Sequence, residues 1–240
     1  MKQRLDQTLV AQHLARTRSQ AEDLINRGFV SVNGKIVTKS GTQIDSTTQL
    51  KVTPHTSFVS RAGEKLYSVV ATFDLDFSQK IILDVGSSTG GFTDLALRKG
   101  AAKVVAVDVG TDQLHISLHG NPRIELHEKT DIRNFQTAEQ FDIIVIDVSF
   151  ISLREILPAV IRLSSSATTI VAMVKPQFEA GSDGLKHKGV IKNDHLRRDI
   201  FKKFETWAQQ YFIIEAKADS KVSGAKGNVE RFYKLRKTLV

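Results

Sequence analysis

The chain has no cysteine among its 240 residues, so disulfides and thiolate metal sites, zinc fingers included, contribute nothing to its stability or chemistry. Long hydrophobic runs are missing as well. The N-terminal stretch MKQRLDQTLV lacks the apolar core of a signal peptide, and the runs IILDV, FDIIVIDV and TTIVAMV are too short and too interrupted to span a bilayer. A soluble, cytoplasmic protein without a membrane partner is therefore expected. The seven histidines are scattered without metal-ligand spacing, so no metal site is expected. No G-x-x-x-x-G-K-[ST] stretch is present either, which excludes a Walker-type phosphate loop.

What the sequence does have is charge, unevenly placed. The formal net charge is +8, divided into +4 over residues 1–51, −3 over 52–174 and +7 over 175–240. A polyanion held by both ends fits this pattern, because phosphate contacts supply much of the affinity for nucleic acid. A solvated lysine-rich surface fits it equally well. The length allows one mid-sized domain with a small appendage, since domains commonly run to about 100 to 200 residues.

In residues 3–14 the apolar positions Leu5, Leu9, Val10 and Leu14 recur at helical spacing, and Ser19 with Glu22 forms a capping-box pattern opening a second helix that ends at Gly28. FVSVNGKIV then alternates around Asn33-Gly34, the favoured pair for a two-residue type I′ turn, and Ile44–Val52 supplies one further strand. Arg4, Arg16, Arg18, Arg27, Lys35 and Lys39 punctuate these elements. The run RLDQTLVAQHLARTRSQAEDLINRGFVSVNGK resembles the αL RNA-binding domain first known from a small-subunit ribosomal protein. On that resemblance residues 1–52 form an RNA-binding domain, with Arg4, Arg16, Arg18, Arg27 and Lys35 as its candidate RNA contacts, and residues 53–60, containing Pro54, read as a linker.

From residue 61 onward helical and strand signals alternate, which predicts a doubly wound, Rossmann-like α/β domain with a mostly parallel sheet over 61–240. KIILDVG, AKVVAVDVG, FDIIVIDV and TTIVAMVK are buried-strand runs that end in polar or charged residues. Ligands bind at the carboxyl ends of such strands. DVGSSTGGFTDLAL passes from the first strand through Gly86, Ser87, Ser88, Thr89, Gly90 and Gly91 into a helix, but Ser88 stands where a dinucleotide fingerprint has its second glycine. A pyrophosphate is thus disfavoured. A ligand carrying a nucleoside and an amino acid without phosphate suits the loop better, with Asp84 placed to meet an ammonium group. Asp108, closing the second strand, is the candidate for ribose hydroxyls, and Asp131 in KTDIRNF for an adenine amino group.

Four more charges stand out: Lys65 in SRAGEKL, Asp147 in VIDVSF, Lys175 in MVKPQFE and Glu230 in NVERFYKL. They match the lysine-aspartate-lysine-glutamate tetrad of FtsJ-like ribose 2′-O-methyltransferases. Together with DVGSSTGGFTD, DVSFISL and the N-terminal domain, the whole chain resembles the TlyA family, described as rRNA cytidine-2′-O-methyltransferases and long called haemolysins. The resemblance implies S-adenosylmethionine as cofactor, ribosomal RNA or a ribosomal subunit as partner, and the four charges as catalytic residues. In that chemistry Lys175 stands at the 2′-oxygen as neutral base or charged stabiliser. Lys65, as a like-charged neighbour, favours the neutral amine, and the two carboxylates oppose this. Residues 177–193, polar, Gly-rich and basic, are expected to form a loop that closes on RNA. ERFYKLRK is expected to complete the sheet and carry Glu230 to the site.

Three rival readings meet contrary signals. A membrane-active haemolysin needs a transmembrane or strongly amphipathic segment, and none is evident. A non-catalytic RNA-binding assembly factor has no use for an intact tetrad. A Rossmann dehydrogenase is opposed by Ser88.

Overall fold

The computed structural model divides into two units, Met1–Thr56 and Ser57–Val240, and describes residues 2–15, 17–26, 28–45, 48–53, 58–181, 189–224 and 227–238. In the first unit the chain opens with strand β1 (Lys2–Arg4), followed by α1 (Leu5–Ala11) and α2 (Arg18–Asn26). The helical periodicity of residues 3–14 is thus cut short at its start. Residues 2–4 are extended because they pair antiparallel with β4 (Gln43–Asp45). The second helix also begins earlier than Ser19 and Glu22 suggest. Thr17 Oγ1 accepts from the Gln20 backbone N–H at 3.2 Å, and threonine caps a helix nearly as well as serine.

The Asn33-Gly34 turn forms as predicted between β2 (Val30–Val32) and β3 (Lys35–Ile36), with φ of +49° and +78° at its two residues. The single strand expected over Ile44–Val52 is instead two. β4 pairs with β1, and β5 (Leu50–Val52) pairs with β2 in a separate three-stranded sheet. Leu5, Leu9, Ala15, Ala21, Ile25, Val30 and Ile44 make this unit's own core.

The second unit alternates helix and strand: α3 (Arg61–Val70), β6 (Ile81–Val85), α4 (Gly91–Arg98), β7 (Lys103–Val107), β8 (Ile124–His127), β9 (Ile143–Ile146), α5 (Leu153–Leu163), β10 (Thr169–Val174), α6 (Pro176–Glu179), α7 (Asp194–Ala208), β11 (Phe212–Asp219) and β12 (Arg231–Lys237). The four predicted buried strands are β6, β7, β9 and β10, all parallel. The sheet order is β11-β12-β10-β9-β6-β7-β8, with β12 antiparallel to both of its neighbours.

Strand alternation sorts the core into two layers. Leu83, Val85, Val105 and Ile144 face the layer of Leu157 and Val160 from α5 and Phe201 and Phe204 from α7. Ile82, Val104, Val145 and Val171 face Leu66 and Val69 from α3 and Phe92 and Leu95 from α4. Each such fully buried side chain contributes about 1.5–3 kcal/mol, which fixes both helical layers on the sheet. The result is a three-layer, Rossmann-like α/β unit. No helix among the described residues is long and apolar enough to cross a membrane.

Candidate active site

The sheet order reverses between β6 and β9. From β6 the chain runs outward through β7 and β8, then returns to the other side of β6 as β9. A crevice opens at such a point, above the carboxyl ends of the strands. Gly86 follows β6 there with φ +79°, and a Cβ on it would lie 2.7 Å from the Asp147 carbonyl oxygen at the end of β9. No other residue fits. At Gly90, φ is +84° and a Cβ would meet Leu118 Cδ1 at 2.5 Å, so the turn into Gly91 and α4 also depends on glycine.

Between the glycines, Ser88 adopts φ +44° and donates its backbone N–H to Asp108 Oδ2 at 2.8 Å. Asp108 Oδ1 accepts from the Gly110 N–H at 2.7 Å. This carboxylate therefore ties the glycine loop to the end of β7 while lining the crevice. The crevice measures about 500 Å³, within the range of small-ligand pockets. Asp131 also lines it, but both of its oxygens are held by the Arg133 guanidinium, the closest contact being 2.6 Å. An adenine amino group would have to use lone pairs left over from that fork.

A smaller pocket under the loop is lined by Asp84, Ser87, Thr89, Asp147, Ser149 and Lys175 among others. Asp84 is buried, and its Oδ2 accepts from the Thr93 N–H at 2.9 Å and from Thr93 Oγ1 at 2.6 Å. Its Oδ1, like Ser87 Oγ, is buried without a hydrogen-bond partner among the described residues. Burial pushes the Asp84 carboxyl up to about 7, against the lowering effect of the Thr93 hydrogen bonds. Buried polar atoms left open cost stability, so an unpaired carboxylate oxygen and hydroxyl facing one pocket fit the amino-acid end of a bound ligand.

The tetrad is assembled by topology. Because β12 runs antiparallel to β10, with Arg231 paired to Val174, the residue entering β12 lies beside the residue leaving β10. Those residues are Glu230 and Lys175. Lys65 on α3 reaches Glu230 Oε2 at 2.6 Å, and Lys175 Nζ reaches Asp147 Oδ1 at 2.5 Å. Each lysine thus has its own carboxylate, and among the described residues the charge in contact with Lys175 is Asp147 rather than Lys65. All but Asp147 line a further cleft of about 450 Å³.

Several members of this site gave no sequence signal beyond lying in a noted motif. Ser149 Oγ accepts from Lys175 Nζ at 2.8 Å. Phe150 is 92% exposed with φ +66°, rare for a bulky residue, and its ring lies 5.3 Å from that of Phe178. The Glu179 side chain is only 2% exposed and accepts from Ser152 Oγ at 2.7 Å and the Leu153 N–H at 2.6 Å, tying α6 to the start of α5. Asn228, also buried, donates to the Gly189 carbonyl at 2.8 Å and accepts from the Ile191 N–H at 2.9 Å. Residues 177–179 of the expected closing loop are helical, Pro176 being suited to a first helical turn. Residues 182–188 of that loop lie outside the described residues.

In the first unit Arg4 and Arg18 converge on one buried carboxylate. Asp6 Oδ2 receives Arg4 at 2.8 Å and Arg18 at 2.9 Å, and the two guanidiniums hold its carboxyl well below the ordinary range. These arginines, expected from the sequence to contact RNA, therefore have a structural task in holding a buried carboxylate. Lys35 and Lys39 are exposed, and Arg16 and Arg27 lie outside the described residues.

Residues 58–237 match the FtsJ-like methyltransferase family and residues 3–50 match the S4 domain. The chain is 39% identical to the 16S/23S rRNA (cytidine-2′-O)-methyltransferase TlyA of Mycobacterium tuberculosis, over 97% of this chain and 89% of that protein. It is 37% identical to Hemolysin A of Brachyspira hyodysenteriae, over 95% and 97% respectively. A solved structure of a hemolysin-named protein from Streptococcus thermophilus superposes with a TM-score of 0.76 at 36% identity, covering 99% of this chain and 89% of that one. With the glycine loop, the paired tetrad and both domain matches in one chain, the protein belongs to the FtsJ-like methyltransferases and, within them, to the TlyA family.

Proposed function

We propose that the protein transfers a methyl group from S-adenosylmethionine to a ribose 2′-hydroxyl of cytidine in ribosomal RNA, and so works in the cytoplasm where that RNA is found. One observation carries the reading: Lys175 lines both the small pocket under the glycine loop and the tetrad cleft beside it. A group in that position reaches a reacting centre shared by a ligand on each side. When bound, S-adenosylmethionine supplies an activated methyl on a sulfonium. The chain's task is then to place the oxygen in line and manage its proton.

In this reading Asp84 Oδ1 and Ser87 Oγ receive the amino-acid end of the cofactor, Asp108 the ribose hydroxyls, and Asp131 the adenine. The glycines of the loop, with Ser88 and Thr89, give it close access to the backbone. Lys175 acts at the 2′-oxygen, Asp147 orients it, and the Lys65–Glu230 pair shapes the opposite wall. Phe150 offers an exposed face to an unstacked base, an interaction worth about 1–3 kcal/mol per base. Residues 1–52, read as the RNA-binding domain, and the net +7 of residues 175–240 supply phosphate contacts. Arg16, Arg27, Lys35 and the outward sides of Arg4 and Arg18 are the proposed contacts in the first domain. Purified protein incubated with rRNA and labelled cofactor is expected to yield 2′-O-methylcytidine on nucleoside digestion, and label found only on bases would refute the reading.

Asp108→Ala should weaken cofactor binding by roughly 1.5–3 kcal/mol, the worth of a hydrogen bond to a charged group. It also frees the Ser88 N–H, so calorimetry should show the whole loss in affinity for S-adenosylmethionine, with none in RNA binding.

Asp84 makes cofactor binding pH-dependent. An ammonium binds the carboxylate form, so affinity should rise about tenfold per unit as pH approaches 7 from below, then level off. Above about 8 the free cofactor's own α-amino group loses its proton and affinity falls again. Asp84→Asn should flatten the acidic limb. The same raised value gives the opposite sign for stability: the contribution of Asp84 is fully present below 3.8 and is lost as pH rises through about 7. Titrating affinity and melting temperature together checks both signs.

A further inference from the structure

We infer that Ser149 is a positioning residue for methyl transfer, fixing the rotation of the Lys175 amine so that a free valence faces the substrate oxygen. The inference rests on the reading that Lys175 acts at the 2′-hydroxyl. A lysine nitrogen has three positions besides its bond to Cε. Ser149 Oγ takes one as a hydrogen bond at 2.8 Å, while Asp147 Oδ1 holds the amine as an ion pair at 2.5 Å without a directed hydrogen bond. Among the described residues, Ser149 is therefore the directional restraint on the amine.

The consequence holds in either protonation state. In a neutral amine one N–H points at Ser149 Oγ, which limits the lone pair to the two remaining positions. In an ammonium a remaining position carries an N–H able to meet a developing alkoxide. With the Asp147 ion pair alone the amine would turn about its Cε–Nζ bond, and the direction offered to the substrate would be spread over a cone. In the transfer by the neutral amine, the substrate O–H bond breaks as an N–H forms on Lys175; with the ammonium, that proton leaves to water. The oxygen pair bonds the methyl carbon, and the C–S pair stays on sulfur. Ser149 gains and loses no atom.

Placement supports the role. Ser149 lines the cofactor crevice, the small pocket and the tetrad cleft alike. Its loop is held at both ends: the Asp147 N–H donates to the Val85 carbonyl at 3.0 Å, and Ser152 and Leu153 are tied to Glu179. Between these anchors Phe150 takes its positive φ. Such strain is kept where surrounding structure over-determines it, commonly at functional sites.

The test compares Ser149→Ala and Ser149→Thr with wild type in steady-state methylation of rRNA, alongside calorimetry with S-adenosylmethionine. Ser149→Ala is expected to lower kcat by roughly 100-fold, the penalty of a small misplacement at a reacting centre. KM for RNA and Kd for the cofactor should stay within about twofold, and threonine, which keeps the hydroxyl, should restore most of the rate. A wild-type kcat in Ser149→Ala, no rescue by threonine, or a cofactor Kd that weakens in step with kcat would each overturn the role of Ser149. Absence of transfer by the wild-type protein would instead overturn the reading beneath it.

Discussion

Replacing Lys175 with alanine is expected to remove methyl transfer, by about 10²- to 10⁴-fold or more, while leaving cofactor and RNA affinity in place. The lysine touches Asp147 and Ser149, and none of the groups proposed to anchor the cofactor depends on it. Loss of rate without loss of binding is the signature of an interaction made only in the transition state. The cut also leaves Asp147 as an unpaired, partly buried carboxylate, so a melting temperature should accompany the kinetics. Lys175→Arg separates two chemistries. A guanidinium keeps its charge but does not deprotonate in proteins, so a dead arginine variant favours a base and a partly active one favours electrostatic stabilisation. Single-turnover transfer isolates the step, and near-normal transfer by Lys175→Ala would remove this residue from the reaction.

Deleting residues 1–52 is expected to abolish methylation of rRNA and leave affinity for S-adenosylmethionine nearly unchanged. The cores allow this, because the buried apolar residues of the first unit all precede residue 53 and those of the second all follow residue 57. Asp84, Ser87 and Asp108 lie wholly in the second. RNA binding by the full chain should also fall steeply with salt, the log–log slope losing about 0.7–0.9 for each phosphate contact removed with the domain. Filter binding across salt concentrations measures the slope, and full activity in the truncated protein would refute a docking role for the first domain.

Much of this was legible in the sequence because it depends on local pattern. Apolar runs of strand length, the Asn33-Gly34 turn and the glycine loop all report their own conformation through period, φ demand or small size. The antiparallel placement of β12 was not legible from period. It is set by pairing with β10 across more than fifty residues, and it alone brings Glu230 to the level of Lys175. Partnerships among charges were also hidden. Arg4 and Arg18 look like surface cations until the fold buries Asp6 between them. Lys65 and Lys175 look like a like-charged couple until each is seen with its own carboxylate. Ser149 and Glu179 sit inside motifs already noted, yet a hydroxyl or carboxyl shows its role only when its partner's distance is known. The split of Ile44–Val52 into two strands has the same origin, since β4 and β5 answer to different sheets.

Mapping 2′-O-methyl groups in rRNA tests whether this chain methylates ribose with the Lys175 amine, in cells lacking the protein and in the same cells given back either wild type or Lys175→Ala. A cytidine is expected whose 2′-O-methyl disappears with the protein, returns with wild type and stays absent with the variant. An rRNA 2′-O-methyl pattern that is the same in all three would contradict this.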